Sequence, residues 1–195
     1  MASLIQRIID KLRGKPVRFS MLDKKIYIGK HTQIDSNTVI EDYARIMEYV
    51  QITKAKIGRY ASIADFVTIG AGEHSLEAIS TSGHLAECSN NYKDLTNAPC
   101  EIGPDVWVCV GSIIRRGVKI GIGAVVGANS FVNKDVPPFA VVGGCPAKII
   151  KYRFNEETRN KILESKYWEK EPAEARKIIK DLTKFYKNSL NENNQ

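Results

Sequence analysis

Three histidines, His31, His74 and His84, are the only imidazoles in this chain of 195 residues. Each is a side chain that can take or give a proton near neutral pH. Their settings differ. His31 lies among regularly spaced aliphatics, whereas His74 and His84 lie in a segment, residues 71–101, where that spacing stops. A histidine at the root of a long loop is held by the structure it leaves and projects over whatever the loop covers. That placement suits a general base acting on a hydroxyl or an amine. His74 stands at the root and is the candidate base, with His84 as the second choice. The cysteines, Cys88, Cys100, Cys109 and Cys145, form no C-x-x-C pair, so neither a zinc cluster nor a redox motif is indicated.

The elements that must position such a base show as an internal repeat. Ile28, Ile34, Ile40, Ile46 and Ile52 stand six apart, one five-residue step follows, and Ile57, Ile63 and Ile69 resume the period. Beyond the excursion, Ile102, Val108, Ile114, Ile120, Val126 and Val132 repeat it. A period of six is neither that of a helix nor that of an ordinary strand. It predicts a triangular coil whose short strands each give one aliphatic side chain to a shared interior, stacked on the next coil. Gly, Asn and Asp fill many intervening positions, as in "IGPD" and "IGIGAVVGANS", and suit tight corners. The gap from Ile69 to Ile102 is not a multiple of six, so residues 71–101 must leave the coil. A loop that long in a compact protein is usually functional or disordered.

The ends differ in kind. Residues 3–13 predict a short amphipathic helix, with Leu4, Ile5, Ile8, Ile9 and Leu12 on one side, that covers the open end of the coil rather than lying on a membrane. Residues 155–168 and 172–187 predict two helices, the second with Pro172 in its first turn and Ile178, Ile179, Leu182 and Phe185 as a buried stripe. The expected division is 1–25 for the N-terminal helix and cap, 26–150 for the coil, and 151–195 for a helical extension.

The segment "APCEIGPDVWVCVGSIIRRGVKIGIGAVVGANSFVNKDVPPFAVVGGCPAKIIKYRF" resembles the C-terminal half of the hexapeptide-repeat acyltransferases, and most closely their xenobiotic and polysaccharide O-acetyltransferase group. The likeness implies a mainly β protein, a left-handed parallel β-helix with a long excursion loop and C-terminal helices. It also implies acetyl-CoA as co-substrate without a metal, and a homotrimer with active sites between subunits. Carried onto this sequence, the family's catalytic His falls on His74. The backbone N–H facing the thioester oxygen falls on Val110. The Trp beside the pantetheine arm falls on Trp107. Cys109 stands where the family has Gly, which puts the acyl pocket in question. Gly127, Ala128 and Asn129 would approach the pantetheine, while Lys134 and Lys148, with Lys151 or Arg153, would meet the CoA phosphates. Tyr43, Glu48, Tyr49, His84 and Tyr92 are candidates for the acceptor side.

The loop sequence "TSGHLAECSNNYKDLTNA" reads as short and polar, which suits sugar hydroxyls. The expected reaction is therefore transfer of an acetyl group to a hydroxyl of a small-molecule or glycan acceptor, a cell-surface polysaccharide or its precursor. Xenobiotic O-acetylation, sugar N-acetylation and a non-catalytic scaffold are the alternatives. A zinc lyase of the same fold would need two His in an H-x4-H pattern, which is absent here. The net charge of +7 is split, eight Lys/Arg against two Asp in residues 1–30 and eleven against eight acidic residues in the last 45. No nucleic-acid motif accompanies it, so a solvated surface with a local phosphate site is expected. No apolar run reaches the ~20 residues of a membrane span, and the N-terminus lacks a secretory signal's apolar core, so a cytoplasmic protein is expected.

Overall fold

The computed structural model describes residues 25–82, 84–85 and 97–192; the expected helix at 3–13, Cys88 and Tyr92 lie outside them. Fourteen short strands follow one another, each ending on one of the period-six aliphatics. β1 (Tyr27–Ile28), β4 (Arg45–Ile46), β7 (Ser62–Ile63), β10 (Trp107–Val108) and β13 (Val125–Val126) stack into one sheet. β2 (Gln33–Ile34), β5 (Gln51–Ile52), β8 (Thr68–Ile69), β11 (Ile113–Ile114) and β14 (Phe131–Val132) form a second. β3 (Val39–Ile40), β6 (Ala55–Ile57), β9 (Cys100–Ile102) and β12 (Lys119–Ile120) form the third. Every pairing within these is parallel and in register, Ile46 on Ile63 and Ile63 on Val108, so one aliphatic lies over the next. This is the left-handed β-helix.

The last residue of each strand points inward because alternate strand residues face opposite sides. Ile46, Ile52, Ile57, Ile63, Ile69, Val108, Ile114 and Val126 are fully buried. Each such side chain is worth about 1.5–3 kcal/mol relative to exposure. Ile34 and Ile40 of the first coil are only partly buried, packed against that core from its end. The hairpin of β15 (Ala140–Gly144) and β16 (Ala147–Tyr152) extends the first sheet beyond β13.

The corners are built from left-handed backbone. Between the first and second sheets, His31, Tyr49, Phe66, Gly111 and Asn129 follow one another coil by coil at φ 58°, 58°, 59°, 69° and 54°. Each N–H from Tyr49 onward donates to a carbonyl of the coil before it: Tyr49 to Lys30, Phe66 to Glu48, Gly111 to Asp65 and Asn129 to Val110, at 2.9–3.1 Å. Left-handed backbone costs a side-chain-bearing residue about 1–2 kcal/mol. Face-to-face stacking, His31 on Tyr49 at 4.8 Å and Tyr49 on Phe66 at 5.1 Å, offsets about 0.5–1.5 kcal/mol per pair. Gly or Asn would occupy these corners at lower cost, so corner geometry does not account for the rings.

The chain divides into two compact units after Lys151. In the second, α1 (Glu156–Ser165) starts at Asn155, whose side chain accepts the Thr158 N–H at 2.9 Å, with Glu156 and Glu157 in the first turn. After a 3₁₀ turn at Tyr167–Glu169, α2 (Pro172–Glu192) begins on Pro172. The buried or half-buried side of α2 runs Ala175, Ile178, Leu182, Phe185 and Ser189. Ile179, expected in the stripe, is exposed; it stands about 100° round the helix from its half-buried neighbour Ile178.

Candidate active site

The expected oxyanion donor, Val110, and the expected base, His74, lie toward two opposite edges of the second sheet. At the first edge, Val110 and Gly111 turn the chain from β10 into β11. Cys109 and Gly111 donate their N–H groups to Val126 and Asp65, but the Val110 N–H has no hydrogen-bond partner among the described residues. The reason is local. In the coil holding Glu48, the equivalent N–H is capped by the carboxylate of Asp65 one coil on, at 2.8 Å. For Val110 the residue one coil on is Ala128, whose side chain carries no oxygen. A backbone donor is therefore left without a partner, as an oxyanion site requires.

Around that donor lie other expected residues. Trp107 is half-exposed on the outer face of the first sheet, flanked by Ser62 and Val125, so it is not a packing tryptophan. Burial pushes the Cys109 thiol above its ordinary value, which opposes a nucleophilic role. Ala128 and Asn129 are exposed directly beneath, and Glu48 and Tyr49 lie on the same corner two coils away. The missing Cβ of Gly127 is explained inside the coil, where it would come within 3.2 Å of the Val142 carbonyl. Tyr43 is elsewhere, stacked on Tyr60 at 5.1 Å at the corner between the third and first sheets. Lys134, Lys148 and Lys151 are all exposed, the last two on β16. Such cations fit phosphates, and a free N–H fits a thioester oxygen, so these residues suit a CoA thioester.

At the opposite edge the loop leaves between β8 and β9, and the coil resumes on the next face in register, Ile102 beside Ile57. Its root is tied down. Gly70, at φ 68°, has its carbonyl bound by Thr53 Oγ1 and by Arg116 Nη2, and Arg116 also reaches Thr53 Oγ1 at 2.8 Å. A Cβ on Gly70 would meet the Thr53 carbonyl at 2.5 Å. Glu73 takes a two-pronged bond from Arg115, Nε at 2.7 Å and Nη2 at 2.8 Å. That hydrogen bond is the main cause of a lowered Glu73 carboxyl pKa; burial opposes it, and the charges of Arg115 and Arg116 add to it. His74 follows directly, exposed and without a hydrogen-bond partner among the described residues. His84 is also exposed; its backbone N–H donates to Ser82 Oγ at 3.3 Å.

Phe66, Glu73, Arg115 and Arg116 were not marked by sequence motifs. Phe66 had a signal: His31 to Tyr49 is one 18-residue coil, and Tyr49 to Phe66 is one coil shortened by the five-residue step. The arginines had none, since their partners lie 42 and 46 residues away in sequence. Among the described residues, no group of three or more His, Cys, Asp or Glu is placed to hold a metal, and no helix is long and apolar enough to cross a membrane.

No family model matches the chain. It is 34% identical over 173 residues to a chloramphenicol acetyltransferase of Agrobacterium fabrum, covering 78% of this chain and 82% of the relative. It is 34% identical over 134 residues to a putative lipopolysaccharide biosynthesis O-acetyl transferase of Escherichia coli K12, covering 69% of this chain and 63% of the relative. Further chloramphenicol acetyltransferases match over only 32% of their length. Among solved structures, a hexapeptide-repeat acetyltransferase from Vibrio cholerae O1 biovar eltor complexed with acetyl-CoA superposes with TM-score 0.56 at 27% identity, covering 68% of this chain and 70% of that one.

Proposed function

The chain belongs to the hexapeptide-repeat acetyltransferase family, and we propose that it is an acetyl-CoA-dependent O-acetyltransferase acting on a saccharide hydroxyl. The observation that carries the reaction is the unpartnered Val110 N–H beside exposed Trp107, on the fold of a relative complexed with acetyl-CoA. The acceptor hydroxyl gives its proton to His74 as its oxygen attacks the acetyl carbonyl carbon. The Val110 N–H meets the carbonyl oxygen as that oxygen gains charge. The carbon–sulfur bond then breaks, and the CoA sulfur takes the proton from His74. A positioned base contributes about 10²–10⁴ in rate, and an oxyanion donor about 10²–10³.

His74 and Val110 stand at opposite edges of the same sheet. From Ser112, just past the Val110 corner, to Arg115, which holds the loop root, three steps of extended chain span roughly 10 Å. Base and donor of one chain therefore sit on different sides of that face. A homotrimer resolves this, the His74 of one subunit facing the Val110 of its neighbour. The saccharide assignment rests on the polar loop sequence and on the likeness to an O-acetyl transferase of lipopolysaccharide biosynthesis.

A second reading has its own observation. Leu76, Ile79 and Leu85 in the loop are 92%, 107% and 77% exposed, so the loop presents apolar side chains outward beside its polar ones. Apolar side chains there suit a xenobiotic acceptor, in line with the chloramphenicol acetyltransferase likeness. Thiol release from acetyl-CoA against hexoses, amino sugars, sialic acid, chloramphenicol and a streptogramin decides between them. Turnover of a sugar hydroxyl supports the first reading. Turnover of an amino sugar at nitrogen or of an antibiotic replaces it, and turnover of none sinks both.

A further inference from the structure

The stacked column at the first corner is missing one ring. His31, Tyr49 and Phe66 occupy three successive coils as parallel rings, at interplanar angles of 15° and 8°. The next coil places Gly111 in the same left-handed position, with no side chain, and the coil after that places Asn129. Rings stacked along the coil axis turn only their edges outward, so the column has two free faces, one at each end. The face of Phe66 away from Tyr49 is one of them, and no described ring covers it; the residue is 59% exposed. Below the gap, the Asn129 amide reaches toward Gly111, so that a Cβ on Gly111 would run into Oδ1. That amide has no hydrogen-bond partner among the described residues. The vacant rung is one coil spacing from Phe66, about 4.8 Å, and belongs to the corner that carries the free Val110 N–H.

We infer that this vacant rung is the acceptor subsite, and that it takes a pyranose ring lying with its C–H face on Phe66 and its hydroxyls toward the Asn129 amide. The inference rests on the acetyltransferase reading and names where its acceptor binds. One apolar wall and one hydrogen-bonding wall match a sugar ring, which is apolar on its face and polar at its rim. A ring seated there brings a rim hydroxyl beside Val110, where the acetyl carbonyl would lie. The three rings above support the fourth position, and they account for aromatic residues at corners that Gly or Asn would fill at lower cost.

The test uses ligand-detected NMR on the intact oligomer with CoA bound, probing methyl β-galactoside, methyl α-glucoside, chloramphenicol and the acyclic polyol glycerol. The wild type should show saturation transfer to the pyranoside ring protons. Phe66→Ala should weaken pyranoside binding about three- to tenfold, the range expected for one ring contact. Phe66→Trp should retain it, and glycerol and CoA should be unaffected by either change. Pyranoside binding indifferent to Phe66→Ala overturns the inference. So does chloramphenicol binding at Phe66 in place of the pyranosides. Dissociation of Phe66→Ala into smaller species on sedimentation also overturns it, by assigning the rung to a subunit contact. Pyranoside binding without acetyl transfer would instead sink the enzyme reading and leave the subsite standing.

Discussion

The two edges of the second sheet solve opposite problems. At the Val110 edge the proposed functional group is backbone, and each corner residue from Tyr49 onward is held by hydrogen bonds from coil to coil. At the His74 edge the proposed functional group is a side chain at the start of a long excursion, and it is the loop root before it, at Gly70 and Glu73, that is held by bonds from Thr53, Arg115 and Arg116. A repeat can present a rigid donor simply by omitting a capping oxygen, as Ala128 does. The proposed side-chain base instead stands where the repeat is broken and the break is tied.

The largest expected effect falls on the His74 edge alone. His74→Ala should lower kcat by about 10²–10⁴ while acetyl-CoA still binds, read by thiol release and by isothermal titration of CoA. Activity that survives would shift the base to His84 and remove the contrast between the edges.

Next come the two glycines that mark the edges. Gly70→Ala sets a Cβ against the Thr53 carbonyl, which is backbone and cannot swing away, in a left-handed residue. It should cost about 2–3 kcal/mol. Gly111→Ala pushes only on the end of the Asn129 side chain, so about 1–2 kcal/mol is expected. Thermal melts should rank Gly70→Ala below Gly111→Ala; the reverse order would mean that the Val110 edge is the less yielding one.

Arg115→Met unties the loop root. Because the pair is partly exposed, stability should fall by under about 1 kcal/mol, while misplacement of the neighbouring base should lower kcat about tenfold. The pair also has a pH signature. The Glu73 carboxyl is lowered from its ordinary 4.5 by the Arg115 hydrogen bond, so its contribution is complete above that value and is lost as pH falls through the lowered one. The stability gap between wild type and Arg115→Met should therefore be constant above pH 4.5 and close below it, followed by urea titration at several pH values.

The smallest effect belongs to the rigid edge. Cys109→Gly should leave kcat for acetyl-CoA within about threefold, because burial keeps that thiol protonated and out of the reaction. Alkylation of Cys109 near pH 7 should be correspondingly slow by mass spectrometry. Rapid alkylation would require the thiol to be more acidic than its surroundings imply.

Much of this architecture is written in the chain itself. A period of six with one five-residue step names the strand positions, because each coil must supply one apolar side chain per face to a core that has no other source. The position of the excursion follows from the same counting, and with it the choice of His74. What counting cannot supply is contact between residues far apart in sequence. The stacking of Phe66 on Tyr49, the vacancy at Gly111, the unpartnered Val110 N–H and the Glu73–Arg115 tie depend on which side chains the coils bring into one column or across one corner. The exposed setting of Ile179 on α2 is of the same kind, since helix periodicity marks a stripe but its partners decide which line of it is covered. Hydrophobic spacing is a local property and survives in one dimension. Hydrogen bonding, stacking and the capping of a donor are pairwise, and only the folded coil chooses the pairs.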